Sequence, residues 1–166
     1  MNSANNNHYD YLFIGGGIAA GYAAEGIREV DEKGSIGILS SDQDGPYTRP
    51  ALSKKIWTDD EFTTEDVPFD TAEKTGADVI LETVVTSIDR ENKTVKTEDG
   101  KSYTYGKLLL VTGGEPQTLE GPEDARVLAF RSFEDYRQLR DVSGKNQHVI
   151  VVGGSYIGTE LAANLK

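Results

Sequence analysis

Cysteine is absent from this chain of 166 residues, and histidine occurs twice, as His8 and His148. The first absence removes disulfide staples, cysteine-based metal sites and thiol catalysis within these residues, and with two histidines a metal centre is not expected either. Positive charge is scarce: 17 Lys and Arg stand against 28 Asp and Glu, a formal charge of −11, and no Lys/Arg-rich run occurs. Binding to nucleic acid by counterion release is therefore disfavoured. No apolar stretch approaches the ~20 residues that cross a bilayer. The Asn-rich start, residues 1–7, has neither a charged n-region nor an apolar core, so residues 1–8 are expected to be a disordered leader on a soluble, cytoplasmic chain without a membrane span.

What the sequence does contain is a pair of glycine-rich turns 138 residues apart (153 minus 15), each between a strand-like and a helix-like run. The first reads Tyr11-Leu12-Phe13-Ile14-Gly15-Gly16-Gly17-Ile18-Ala19-Ala20, the second Val149-Ile150-Val151-Val152-Gly153-Gly154-Ser155-Tyr156-Ile157-Gly158. A pyrophosphate needs bare backbone at a helix N-terminus, where unpaired N–H groups and the helix dipole favour negative charge. Gly15 and Gly17 fill the first two positions of the G-x-G-x-x-G/A fingerprint, and Ala20 fills the third, where a small residue lets helix and strand pack closely. The second copy keeps Gly153 and Gly158 but has Ser155 in the middle, a side chain where backbone should meet phosphate. One such turn can simply join a strand to a helix; two in matching context point to an oxidoreductase that holds two dinucleotides.

Residues 9–14 read as a buried strand, 19–30 as a crossover helix and 36–39 as the next parallel strand, a βαβ opening. Residues 40–50 form a polar turn containing Gly45-Pro46, 51–57 a short helix with Pro50 at its first turn, and 58–66 an acidic exposed stretch. Residues 78–105 are β-rich, with strands over 83–90, 94–97 and 102–105 and the turn signal Asp99-Gly100, the pattern of an antiparallel meander. Residues 107–111 read as a buried parallel strand, Ser132 as the cap of a helix with an acidic first turn, 148–152 as a strand and 156–166 as the helix after it.

Four segments carry a resemblance: the first fingerprint, Pro46-Tyr47-Thr48-Arg49-Pro50-Ala51-Leu52-Ser53-Lys54, Val111-Thr112-Gly113-Gly114, and the second fingerprint with Gly158-Thr159-Glu160. From residue 9 to residue 166 the chain resembles the FAD/NAD-linked reductases of the pyridine nucleotide-disulfide oxidoreductase superfamily, in the branch of apoptosis-inducing factor and the ferredoxin reductases. The resemblance implies an α/β fold: residues 9–145 as the first part of a Rossmann-like FAD-binding domain with parallel sheet and meander, and 146–166 as the incomplete start of a Rossmann-like NAD(P)-binding domain. It implies hydride transfer from NAD(P)H to FAD and electron delivery to an iron–sulfur protein, a quinone or oxygen.

It also assigns residues. Gly15, Gly16, Gly17, Ile18, Ala19, Ser41, Asp42, Arg49, Lys54, Val85, Thr112, Gly113 and Arg131 fall toward FAD, and Gly153, Gly154, Ser155, Tyr156, Ile157 and Gly158 toward NAD(P)H. Arg49 would suit the phosphates and polar edge of the flavin dinucleotide, and Lys54 would sit near the reactive flavin nitrogen, paired with Glu160 at the nicotinamide side. Plainer readings stand beside these: Arg49 and Arg131 as surface charges, Lys54 as an exposed helix residue, Glu160 as a solvated acid in a helix first turn, and Thr112-Gly113 as an ordinary strand end.

Two positions depart from the family pattern. The acid expected at the end of the second strand is replaced by Ser40-Ser41, with Asp42 one position late, to hold the ribose or merely to cap its turn. The redox Cys pair of the disulfide-reductase branches is missing, so no thiol relay operates in this segment. An alternative function is a flavin-bound structural or signalling protein whose association is controlled by NADH, and a weaker one a nucleotide-binding domain without flavin. Because the pattern stops inside a second βαβ unit, the sequence is expected to be one piece of a longer polypeptide, excised, proteolysed or naturally short, and inactive alone. A homodimer or a completing C-terminal polypeptide is compatible with it.

Overall fold

The computed structural model describes residues 7–118, 120, 124, 126–144 and 147–165. Along the chain run β1 (His8–Ile14), α1 (Ile18–Val30), β2 (Ile36–Leu39), α2 (Lys55–Thr58), α3 (Thr71–Thr75), β3 (Asp78–Ile80), β4 (Val85–Asp89), β5 (Thr94–Thr97), β6 (Ser102–Leu110), α4 (Phe133–Ser143) and α5 (Tyr156–Asn164). They fall into two compact units, one of Met1–Tyr47 with Pro68–Gly113 and one of Thr48–Val67 with Gly114–Lys166. Residues 1–6 of the expected leader lie outside the described residues, whereas His8 already belongs to β1 and its ring bonds Thr104.

In the first unit six strands form one sheet in the order β3-β2-β1-β6-β5-β4. β3, β2, β1 and β6 are mutually parallel, and β4, β5 and β6 pair antiparallel as the meander. On one face Phe13, Ile36 and Ile38 pack against Ala20 and Ala24 of α1; Leu12, Ile14 and Leu39 cluster with Val95, Tyr103 and Tyr105. Alternation along β1 sends Leu12 and Phe13 to opposite faces, so a covered strand here is apolar throughout. α1 ends at Asp31, where Arg28 donates to the carbonyls of Asp31, Gly34 and Thr75 and so satisfies the helix end and anchors α3.

Several expectations need correction. The meander's last strand and the parallel strand at 107–111 are one nine-residue strand, β6, which pairs with β5 through Ser102–Thr104 and with β1 through Leu110. Its far half is not buried: Leu110 is 58 % exposed, because beyond residue 106 no described segment covers that edge. β3, read within the meander, instead lies parallel to β2, and α3 was not foreseen. The short helix at 51–57 is divided into a 3-10 turn, Arg49–Ser53, and α2, with Lys54 at the junction. The expected strand at 148–152 forms no ladder, and Ile150 is 88 % exposed; a strand needs a hydrogen-bonded neighbour, and none of the described segments supplies one.

Tyr9 shows how side chains order the sheet. Its ring lies across β2 where Gly37 has no side chain, a Cβ there falling 2.6 Å from the ring, and its hydroxyl donates to Asp78 on β3 at 3.1 Å. Burial, reinforced by the Asp78 carboxylate, pushes the phenol up to about 12. Since the folded value lies above the ~10 of an unfolded tyrosine, this contribution is whole below pH ~10 and is lost as the pH rises toward 12. Tyr9→Phe is expected to remove that alkaline step. Urea midpoints compared at neutral pH and above pH ~10 check it; an undiminished alkaline loss in the variant would sink the assignment.

In the second unit Trp57 donates Nε1–H to the Leu52 carbonyl at 2.7 Å and meets Tyr136 edge-on at 5.6 Å. α4 begins in a full capping box, Ser132 accepting from the Asp135 N–H and Asp135 from the Ser132 N–H, as its sequence signature indicates. None of the described helices is long and apolar enough to cross a membrane.

Candidate functional site

The sheet order places β1 at a switch point: the chain leaves it toward β2 on one side and returns to β6 on the other. Ligands of open α/β sheets bind outside the carboxyl ends of strands at such a point. There β1 gives way to Gly15 at φ +109°, whose N–H bonds the Leu39 carbonyl, and α1 starts from Gly17 without any side-chain cap. A Cβ on Gly15 would lie 2.2 Å from the Val111 carbonyl oxygen and one on Gly16 would strike Ser40 Oγ, so the protein's own packing explains both. A Cβ on Gly17 would meet nothing within 4 Å. With no acid in the first turn of α1 and no capping side chain, its leading N–H groups stay open to an anion, which fits a dinucleotide pyrophosphate. Ile18 and Ala19 are the exposed first residues of this helix, and Ala20 is fully buried against the sheet.

Around this turn the remaining assigned residues are distributed unevenly. Ser41 is exposed, while the Asp42 carboxylate accepts from the Asp44 N–H at 3.2 Å and from the Tyr47 hydroxyl at 3.5 Å, and its backbone carbonyl takes the Glu82 N–H. Thr112 and Gly113 follow β6, Gly113 at φ +70° and both exposed. Val85 opens β4 and packs half-buried on the core containing Leu12 and Ile14.

The second unit carries the other assigned groups. Lys54 Nζ stands 3.4 Å from Glu160 Oε1, an ion pair in which the lysine is 56 % and the glutamate 24 % exposed. Glu160 is only partly exposed and lies beyond the first turn of its helix: α5 begins at Tyr156, one turn earlier, and Glu160 Oε2 accepts the buried Ser53 hydroxyl at 2.6 Å. Asn164 Nδ2 donates to the Ser53 carbonyl at 2.9 Å. Sequence reading missed Ser53 and Asn164 as participants; the spacing of Glu160 and Asn164, four apart on one helix face, was the available signal. Arg49 opens the 3-10 turn half-buried, and the backbone N–H of Arg131 donates to Asp135 of the α4 cap. Gly153 turns at φ +115°, Gly154, Ser155, Tyr156 and Ile157 are exposed, and a Cβ on Gly158 would lie 2.1 Å from the Gly153 carbonyl. Ser155 precedes α5 without capping it.

A mixed sheet whose β3-β2-β1-β6 part is parallel, with an unblocked glycine turn at its switch point, defines an α/β dinucleotide-binding fold of the Rossmann kind. Residues 9–166 match the family model described as pyridine nucleotide-disulphide oxidoreductase, and the chain belongs to that family. It is 33 % identical to the mitochondrial apoptosis-inducing factor 1 of Dictyostelium discoideum, over 92 % of this chain and 32 % of that protein. It is 36 % identical to the ferredoxin–NAD(+) reductase component of the anthranilate 1,2-dioxygenase system of Burkholderia cepacia, over 92 % of this chain and 39 % of that one. Among solved structures it resembles the reductase of the covalent putidaredoxin reductase–putidaredoxin complex, with TM-score 0.82 and 28 % identity over 98 % of this chain and 40 % of that one. The NADH:rubredoxin oxidoreductase of Clostridium acetobutylicum gives TM-score 0.80 and 25 % identity, covering 95 % of this chain and 42 % of that one. The chain thus spans about a third to two fifths of the length of the relatives it matches.

Proposed function

We propose that the whole protein is a flavoprotein oxidoreductase that takes hydride from NAD(P)H onto FAD and passes electrons to an acceptor, an iron–sulfur protein before a quinone or oxygen. The observation that carries this is the ion pair between Lys54, at the start of α2, and Glu160 on the helix that follows the second glycine turn, a cation and carboxylate of the kind that stabilises charge developing during transfer. FAD supplies the two-electron redox chemistry; the protein supplies binding, orientation and electrostatics. Gly15, Gly16 and Gly17 with Ile18 and Ala19 bind its pyrophosphate through backbone N–H groups. Arg49, Thr112, Gly113 and Arg131 contribute further polar contacts, and Ser41, Asp42 and Val85 line the adenosine side. Residues 153–158 hold NAD(P)H, within a division into FAD-binding residues 9–145 and the opening of an NAD(P)-binding domain at 146–166.

The names of the ferredoxin- and rubredoxin-reductase relatives favour an iron–sulfur acceptor. A second reading, a flavin-bound structural or signalling protein, is favoured by the match to an apoptosis-inducing factor. The test uses the whole protein, purified and titrated anaerobically with NADH. Flavin absorbance that bleaches within seconds, with rapid turnover of an added ferredoxin, is the expected result. Slow reduction without ferredoxin turnover would favour the second reading, and no flavin absorbance even after added FAD would refute both.

A further inference from the structure

We propose that Ser53 is the positioning residue of the Lys54–Glu160 pair, a proposal that rests on reading that pair as the charge-stabilising element of hydride transfer. The two carboxylate oxygens of Glu160 are divided: Oε1 faces Lys54 Nζ at 3.4 Å and Oε2 accepts the Ser53 hydroxyl at 2.6 Å. Lys54 is more than half exposed on a flexible stem, and exposed ion pairs hold geometry poorly. Ser53 is only 4 % exposed, and a short hydroxyl-to-carboxylate bond belongs to the strong, charge-assisted class. The orientation of Glu160 is therefore set by Ser53, and Lys54 meets a carboxylate already turned toward it.

Asn164 makes this a two-point grip. One turn beyond Glu160 on α5, it donates to the Ser53 carbonyl at 2.9 Å, so the helix holds the hydroxyl and the carbonyl of one residue. Lys54 is the next residue, and its own N–H is fixed on the Ala51 carbonyl at 3.1 Å. Helix α5 and the lysine-bearing segment are thereby locked in register through Ser53.

The test compares Ser53→Ala, Asn164→Ala, Glu160→Ala and the Ser53→Ala/Glu160→Ala double variant, in the whole flavin-loaded protein. Ser53→Ala is expected to lower the limiting rate of flavin reduction by NADH about tenfold, the loss typical of one hydrogen bond to a charged group, with the apparent Kd for NADH little changed. Asn164→Ala is expected to act in the same direction and less. In the Glu160→Ala background Ser53→Ala is expected to cost nothing further, in reduction rate or in Tm, because the hydroxyl then has no carboxylate to orient. A wild-type limiting rate in Ser53→Ala, or losses that add in the double variant, would overturn the proposal. A wild-type protein that takes no FAD or is not reduced would instead overturn the functional reading beneath it, and the two failures are told apart by which protein shows them.

Discussion

Gly15→Ala is expected to leave the first unit unable to fold stably, whereas Gly17→Ala, two positions on, folds and loses flavin. At Gly15 the backbone sits at φ +109°, and the added Cβ would be 2.2 Å from the Val111 carbonyl oxygen and 2.6 Å from its carbon. Neither atom can yield cheaply, because the Val111 N–H is bonded to the Ile14 carbonyl and anchors β6 beside β1, the central pairing of the sheet. Backbone strain and steric overlap together are expected to cost about 3–5 kcal/mol, a large part of the 5–15 that holds an ordinary domain. At Gly17 the backbone is at φ −85° and the Cβ has open space, so the fold loses at most ~1 kcal/mol. The new methyl stands where the pyrophosphate would approach, and flavin retention falls. Urea unfolding and flavin stoichiometry of the two variants check this; equal stabilities, or full flavin in Gly17→Ala, would contradict it.

Lys54→Met and Glu160→Gln are expected to slow reduction of the whole protein by NADH about 10²-fold, the scale on which removal of a preorganised charge or donor acts on transfer, while stability hardly changes. The pair is partly exposed and worth at most ~1 kcal/mol to the fold. Single-turnover reduction followed anaerobically at the flavin band, alongside thermal unfolding, separates the two effects. Should the rate survive both substitutions, Lys54 and Glu160 are surface charges after all.

Local signals in the sequence located β1, α1 and β2 within one residue, because buried strands read as apolar runs and α1 as a 3.6-residue stripe. The α4 capping box was equally legible, a cap being a contact between residues three apart. What could not be read depends on distant neighbours. β3 has only 3 residues, none of them fully buried, and is parallel only because β2 lies beside it; residues 149–152 are apolar like β1 yet form no ladder among the described residues, since apolarity does not supply a partner. The same holds at the site. The paired fingerprints and Lys54 with Glu160 stood out as motifs, but the grip on Ser53 is set by contacts over 100 residues apart (160 minus 53 is 107).

The central pairing of the sheet also sets the order in which this chain can fold. His8 lies opposite Thr104, 96 positions later, so β1 has β2 on one side early but must wait for most of the unit before β6 reaches the other. At about 5–20 residues per second of synthesis that interval lasts roughly 5–20 s, during which a strand of Tyr11, Leu12, Phe13 and Ile14 stands with one edge open. Loop closure over such a length is slow and entropically costly. The nascent chain is thus most exposed to misassembly at residues 8–14 before β6 emerges to close that edge.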